Sequence, residues 1–570
     1  MAKKKVSAFT LTTDMGEDDN FPIVLDVLST PKSRRLALKS LRNRLYGQSV
    51  YIRPTGGDDT ATLNAAFAAL TPGTRVIMRG SYSVSDTFTL AVDDTIVDMD
   101  GATITQTGLD KRTLTLDTVD RCKVLGGRFI GKGTETPWAG GATAENNVAA
   151  IRMVNCTHCD VIGCEIENHA GCGIAIDGTA EIIHIRSNRI TGVGTHSVGD
   201  NGSDAAIRGG AASVAKTGII VRHNDISHHA FGVMIPGVID CIIEGNHIHD
   251  ITGQHSIYQV ACGDQVIANN LIRNGAQDGI KVQLQDVLDM YGTISITGNV
   301  VKNCGYTSGK AGINVLAVGA GVLGVKFEWC INIASNNVYK ASYGILVRGC
   351  RNCNVASNRV SDIALYGYDA HYSEVSFHGN YAANCDRAPL YIQYPTNTVY
   401  VNGMTIVDGP RNMAGGTGYD SRCCIFIDDE ASPNNGNVYL SNITCKFENY
   451  TEQAGTGPFY GCIYATANTQ VHLVGPIVNL TTKVNYLNGT TKTAVPFDVG
   501  SAPTAATNKA YLYGADVAAG NTAIHAMTEG GKVIKLYQQA HIADAVGGTE
   551  IATINAILAA LENAGFLATS

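Results

Sequence analysis

The sequence predicts an all-β solenoid, a single parallel β-helix of about 12 coils, and three observations carry that reading. A short apolar run, an Asn, one variable residue and then Ile or Val recur as IRSNRI, VRHNDI, IEGNHI, IANNLI, ITGNVV and VASNRV. Between these motifs lies a second run that alternates apolar and variable residues, among them CGIAIDG, FGVMIPG, DGIKVQL, AGINVLA, YGILVRG and APLYIQY. No stretch has the length and 3.6-residue period of a long amphipathic helix.

The motif Asn residues are Asn188, Asn224, Asn246, Asn270, Asn299, Asn336, Asn358 and Asn380, at steps of 36, 22, 24, 29, 37, 22 and 22 residues. The shortest step is one coil, and the longer ones carry Gly/Ser/Asp-rich insertions. Alternation turns Ile151, Ile174, Ile207, Ile257, Ile280, Ile313 and Ile345 to the inner face of short strands, so each coil holds at least two strands. CCIFIDDE and GCIYATA extend the pattern to about Gly475. An Asn at one fixed place per coil fits a tight turn, where its side chain bonds local backbone and tolerates left-handed geometry. Stacked coils then align these amides as a ladder.

The chain has 570 residues, a net charge of −8, 63 Gly and only 16% charged residues. That balance suits a large turn-rich β protein and argues against a nucleic-acid partner, which calls for a basic face. No apolar stretch reaches the roughly 18 residues of a membrane span, and MAKKKVSAFTLTTDMGEDDN has no secretory signal. The expectation is folding in the cytoplasm without membrane insertion. Among 16 cysteines, Cys156-x-x-Cys159 and Cys350-x-x-Cys353 suggest zinc. However, Cys159, Cys241 and Cys353 each stand five positions before the turn slot of their coil, filled by Cys164, Asn246 and Asn358. This registration reads as core packing, with no metal and no cofactor.

Three regions flank and enter the solenoid. Residues 1–47, MAKKKVSAF…DDNFPIVLDV…SRRLALKSLRNRL, resemble the N-terminal segment of bacteriophage tail and tailspike proteins: a basic start, the phrase Asp18 to Val24, then a Leu-rich helix with Leu36, Leu38, Leu41 and Leu45. In residues 48–148, GGDDTATLNAAFAALTPGTRVIMRGSYSV resembles the entry to pectate-lyase-like right-handed β-helices of phage tailspikes. Asp59 or Thr60 is the expected N-cap of a plugging helix, with Leu63, Ala66, Phe67 and Leu70 on one face. Residues 149–480 form the helix proper. In residues 481–570, AIHAMTEGGKVIKLYQQ resembles the C-terminal module of tail fibres and tailspikes, a hairpin turning at Glu529-Gly530-Gly531. Ile551, Ile554, Leu558 and Leu561 follow at heptad a and d positions, which favour trimers. The resemblance implies a homotrimeric virion protein, held to a phage tail or baseplate protein through residues 1–47.

Residues alternating with the inward set form two outward rows, one through Arg152, Ala175, Arg208, Met234, Tyr258, Lys281, Asn314, Leu346, Asp369, Tyr391, Phe426 and Tyr464. Its neighbour runs through Val154, Asp177, Gly210, Pro236, Val260, Gln283, Leu316, Arg348, His371, Gln393, Asp428 and Thr466. At about 4.8 Å per coil they make a strip roughly 55 Å long, which suits an extended polymer. Aromatic faces, amides, Arg and a few carboxylates point to a bacterial surface polysaccharide, capsule or O-antigen.

Glycoside hydrolysis needs two neighbouring carboxyl groups, about 5.5 Å apart for retention and 6.5–9.5 Å for inversion. The preferred pair is Asp177 with Asp204, the latter entering on the insertion 195–210 that also carries Asp200. Asp278 beside Lys281 is second, and the corner Asp428, Asp429 and Glu430 third. Arg208, Tyr258, Lys281, Gln283, Asn314, Arg348 and Asp369 are the candidate sugar contacts. Tyr258, Lys281 and Arg208 on one row also suit a lyase, which abstracts a proton beside a uronate carboxylate. The reading is a depolymerase that acts by endo-glycosidic hydrolysis, with a polysaccharide lyase acting on a uronate-containing polymer or a non-catalytic adhesive fibre as alternatives.

Overall fold

The computed structural model describes residues 20–24, 33–37, 48–108, 111–132, 148–169, 171–192, 204–210, 216–260, 262–285, 292–317, 329–395, 398–410, 423–428, 436–446, 461–466, 470–474, 477–479, 511–518, 521–527 and 533–536. Short parallel strands dominate, stacked into three long sheets. Each coil supplies one strand to each sheet, as in Cys241–Glu244, His247–His249 and Ile257–Val260. One sheet has 15 strands and another 14, more coils than the repeat count predicts. The extra coils come from the region read only as an entry, whose strands Phe88–Leu90 and Leu114–Asp117 begin the 14-stranded sheet.

The alternation holds. Ile151, Ile174, Ile207, Ile257, Ile280, Ile313 and Ile345 are all fully buried and belong to one continuous core. Fifteen cysteines are buried as well, Cys330 alone being exposed. Burial pushes the Cys164, Cys262, Cys304 and Cys350 thiols up to about 12, because a thiolate is poorly solvated in an apolar interior.

The Asn residues form a ladder with a consistent rule from Asn188 to Asn358. The backbone N–H and the side-chain amide of each donate to Oδ1 of the next, and the amide also donates to a carbonyl one coil back. Cys164 opens the ladder through its N–H to Asn188 Oδ1 at 2.9 Å. Asn380 closes it, and the apolar Met404 and Ile443 continue the stack. The left-handed residue is not the Asn but its predecessor: Ser187, His223, Gly245, Asn269, Gly298, Ser335, Ser357 and Gly379 all have φ between 54° and 67°. The turn strain falls on that residue, and the Asn side chain is left free to span coils.

The predicted plug is a helix over Thr60–Ala68 with Leu63 and Phe67 buried. Phe67 packs edge-on to Phe88 at 5.4 Å. Asp59 is the N-cap residue, as expected, although its side chain makes no capping bond; Asp58 Oδ1 accepts the Thr60 N–H at 3.0 Å. Asp59 instead accepts the Thr55 and Ser83 N–H groups at 2.7 and 3.0 Å, tying the plug to the first coil.

At the N-terminus, Asn20–Val24 pairs antiparallel with Ser33–Ala37. Leu36 therefore lies in a strand opposite Phe21 where a helix was expected, and Leu38, Leu41 and Leu45 lie outside the described residues. Two adjacent short runs that can satisfy each other's backbone groups explain the pairing. Residues 493–570 are a separate compact unit. In it Asn521–Met527 pairs antiparallel with both Tyr511–Ala518 and Val533–Leu536, so the predicted hairpin is present. Its turn and the heptad segment lie outside the described residues. Among the described residues no helix is long and apolar enough to cross a membrane.

Candidate functional site

The outward rows are confirmed in register. In the 14-stranded sheet Met234, Tyr258, Lys281, Asn314, Leu346, Asp369, Tyr391, Phe426 and Tyr464 are successive cross-strand partners. Gln283, Leu316, Arg348, His371, Gln393 and Asp428 run parallel two residues on. Alternation predicts that both rows face solvent, and not all of their residues do. Arg208, Asp369, Tyr391, Phe426 and Tyr464 are buried, in part because large side chains one coil apart stack on each other. Tyr366, Tyr391, Phe426 and Tyr464 make one such stack, with successive centroids 4.4, 5.3 and 5.7 Å apart.

The preferred carboxylate pair is not a neighbouring pair. Ile174 lies opposite Ile207, so Asp177 ends its strand three residues beyond that pair while Asp204 stands three residues before it, just ahead of the strand Ala205–Gly209. Six residues of offset span up to about 20 Å. The two acids also have separate partners: Arg152 bonds Asp177, and buried His229 Nδ1 lies 2.5 Å from Asp204 Oδ1. Asp200, Asp429 and Glu430 lie outside the described residues. Arg208 is on the predicted row, two coils from Tyr258, and burial lowers its guanidinium to about 10.

The second candidate, Asp278, sits in a built cluster. It is buried beside His255, whose Nδ1 lies 3.3 Å from Asp278 Oδ2. The Ala311 N–H donates to Oδ1 at 2.6 Å and the Asn314 amide to Oδ2 at 3.2 Å. Lys281 Nζ lies 3.4 Å from His255 Nε2 and 5.1 Å above the Tyr258 ring. The Tyr258 hydroxyl donates to Gln283 Oε1 at 3.0 Å, and Phe231 stacks on Tyr258 at 5.8 Å. Five predicted residues thus meet: Asp278, Tyr258, Lys281, Gln283 and Asn314.

Electrostatics follow from burial. Asp278 is pushed up, although the Ala311 N–H and the Lys281 and Lys310 ammoniums oppose this. Burial, then Lys281 and Lys310, hold His255 well below the usual imidazole range, so it is neutral. Burial lowers Lys281 against the pull of Asp278 and raises Tyr258. A lysine nearer its neutral form beside a tyrosine that keeps its proton is a base and an acid on one half-exposed floor.

His255 was missed in the sequence reading. The signal was present, since superposing HSIYQV on DGIKVQ through Ile257 and Ile280 sets His255 directly over Asp278.

Further along the row, buried Asp369 pairs with His371 at 2.6 Å, and Arg348 lies 3.2 Å from the same imidazole. Burial raises the Asp369 carboxyl. Tyr391, opposite Asp369 in register, donates its hydroxyl to Asp428 Oδ2 at 3.0 Å.

Residues 149–327 match the family model described as "Right handed beta helix region". No curated protein matches the chain. Among solved structures, a mutant tailspike protein of E. coli bacteriophage HK620 in complex with pentasaccharide is similar at 11% identity and a TM-score of 0.49, over 75% of this chain and 82% of that one. The Dettilon tailspike protein aligns at 14% identity and a TM-score of 0.37, covering 72% and 70%. An exopolygalacturonase from Thermotoga maritima aligns at 10% identity and a TM-score of 0.41, covering 58% and 91%. The three stacked parallel sheets bear out what the repeat announced: the solenoid folds as a right-handed parallel β-helix, the fold that the family model describes over residues 149–327.

Proposed function

We propose that this protein is a phage tailspike that binds a bacterial surface polysaccharide along the outer face of the 14-stranded sheet and cleaves it within the chain. The observation that carries the reading is the cluster of Asp278, His255, Lys281 and Tyr258 on the floor of that face, midway along the row that runs from Met234 through Asn314 to Tyr391. It holds one carboxylate with lysines and a tyrosine, a set suited to elimination. Lys281, as the neutral amine, takes the proton beside a uronate carboxylate. Lys310 balances that carboxylate's charge. Tyr258, held by Gln283, gives its proton to the departing glycosidic oxygen, leaving an unsaturated uronate on one product.

A second chemistry, hydrolysis, is favoured by the arrangement at Tyr391. Tyr391 links the two acids: it is opposite Asp369 and bonded to Asp428, which stands two strands and two residues along, about 12 Å backbone to backbone. Side chains leaning toward each other across Tyr391 bring the carboxyl groups toward the spacing of an inverting pair, and Asp369, whose carboxyl burial raises, is the acid. Capsular polysaccharide incubated with the protein separates the two. Elimination gives near-ultraviolet absorbance that is lost in Lys281→Ala and kept in Asp369→Asn. Hydrolysis gives reducing ends without absorbance and the reverse dependence. Absence of any oligosaccharide would leave a binding fibre.

In the same reading the chain is a homotrimer assembled through residues 481–570, and residues 1–47 dock on a phage tail or baseplate protein. The antiparallel strands seen in both segments are compatible with those roles. Sedimentation of the intact chain as a monomer would refute the trimer.

A further inference from the structure

The 15-stranded sheet, a face the proposed groove does not use, carries a group of side chains that hydrogen bonding leaves unexplained. Asp225 and His247 are directly opposite on neighbouring strands, with His249 two residues on, opposite Ser227. Asp225 Oδ1 lies 3.0 Å from His247 Nδ1 and 3.3 Å from His249 Nε2, and all three donor atoms lie within 4.8 Å of one another. Oδ1 is nevertheless shielded from solvent and accepts no hydrogen bond.

The tautomer of His249 sharpens the point. Its Nδ1 lies 2.7 Å from Asp250 Oδ2. Asp250 Oδ1 is held in turn by the Asn274 amide at 2.9 Å, and Asn274 by that of Asn303 at 3.0 Å. Nδ1 is therefore the protonated nitrogen. With the proton on Nδ1, the Nε2 lone pair faces the anionic Asp225 Oδ1 at 3.3 Å, a geometry in which a cation held between the two atoms is favourable.

We propose that Asp225, His247 and His249 bind one zinc-class divalent cation. Ligands at about 2.0–2.1 Å in a tetrahedron are about 3.3 Å apart, close to both distances. Two imidazoles with one carboxylate select zinc, cobalt or nickel over magnesium or calcium, which take oxygen ligands. Asp250 is the outer carboxylate that orients a metal-binding histidine. The Asp225 and His247 side chains are 48% and 41% exposed, which leaves the fourth position to water. Since the ligands come from two successive coils, the ion pins one coil to the next.

The test uses the full-length protein, stripped with chelator and titrated with Zn2+ against a chromophoric competitor and with Co2+ in the visible. Wild type is expected to take up an ion with an imidazole-type cobalt spectrum. The His247→Gln/His249→Gln double variant should bind at least about 100-fold more weakly, and Asp250→Asn about 10–100-fold more weakly. Zinc should raise the thermal midpoint of wild type only. Three buried sulfurs, Cys424, Cys445 and Cys462, also cluster, and binding there would show thiolate-to-cobalt bands that survive the double variant. That result, or no uptake by wild type, or equal affinity of wild type and a correctly folded double variant, overturns the proposal.

Discussion

Asn246 and Asn270 are joined by two hydrogen bonds to one atom: the backbone N–H and the side-chain amide of Asn246 both donate to Oδ1 of Asn270, each at 3.0 Å. Asn270 passes the pattern on, its amide donating to Ile243 O at 2.9 Å and to Asn299 Oδ1 at 3.0 Å. Asn270→Ala strands two buried donors on Asn246 and an acceptor on Ile243. At about 1–3 kcal/mol for each of the three unsatisfied groups, the expected loss is at least about 3 kcal/mol. Thermal or denaturant unfolding of the variant measures it. A change below about 1 kcal/mol would mean that the coils do not depend on the ladder.

The repeat made this ladder legible before any coordinates, because an Asn at a fixed place per coil has one geometric meaning. The outward rows were legible for the same reason, as a strict two-residue alternation leaves no freedom once Ile257, Ile280 and Ile313 are placed inside. The Asp177 and Asp204 pairing failed because Asp204 was read as part of an overhanging loop. Ile207 carries it into strand register instead, one strand-length away. Burial was illegible too: whether Asp369 is covered depends on the sizes of neighbours that lie 22 or more residues away in sequence.

Sixteen cysteines should behave as one. Cys330 is exposed and the other fifteen are buried, so native protein should label rapidly at one thiol per chain and at the rest only on unfolding. Mass spectrometry of briefly alkylated protein reads the outcome. Fast modification of Cys241 or Cys353 would contradict the coil register.

Lys216 offers a pH-dependent stability term. It is buried, its ammonium donates to Pro236 O at 3.3 Å, and burial lowers it to about 8 from an ordinary 10.5. Between those values the unfolded chain holds more protons than the folded one, so stability rises with pH across that window. That lowering corresponds to about 3 kcal/mol. Below pH 8 the full penalty applies. Lys216→Met should remove this slope, which paired unfolding measurements at pH 7.5 and 10 would show.

The elimination chemistry predicts a pH profile. Only neutral Lys281 takes a proton, so turnover should climb on the alkaline side with a midpoint below that of an ordinary lysine. The Asp278 carboxylate raises Lys281, so Asp278→Asn should move this limb to lower pH while keeping the bond from the Ala311 N–H. Lys281→Ala should lower turnover about 10²–10⁴-fold. An unmoved limb in Asp278→Asn would take Lys281 out of the base role.

The 22-residue steps from Asn224 to Asn246, from Asn336 to Asn358 and from Asn358 to Asn380 are interchangeable units, because each coil brings its own left-handed turn residue and its own rung. A gene duplication or deletion of one such unit keeps every rung bonded and every inward residue inside. It lengthens or shortens the outward rows by one strand spacing, about 4.8 Å. The length of this face can therefore evolve in whole coils, as a ruler is cut to length, without redesign of the interior.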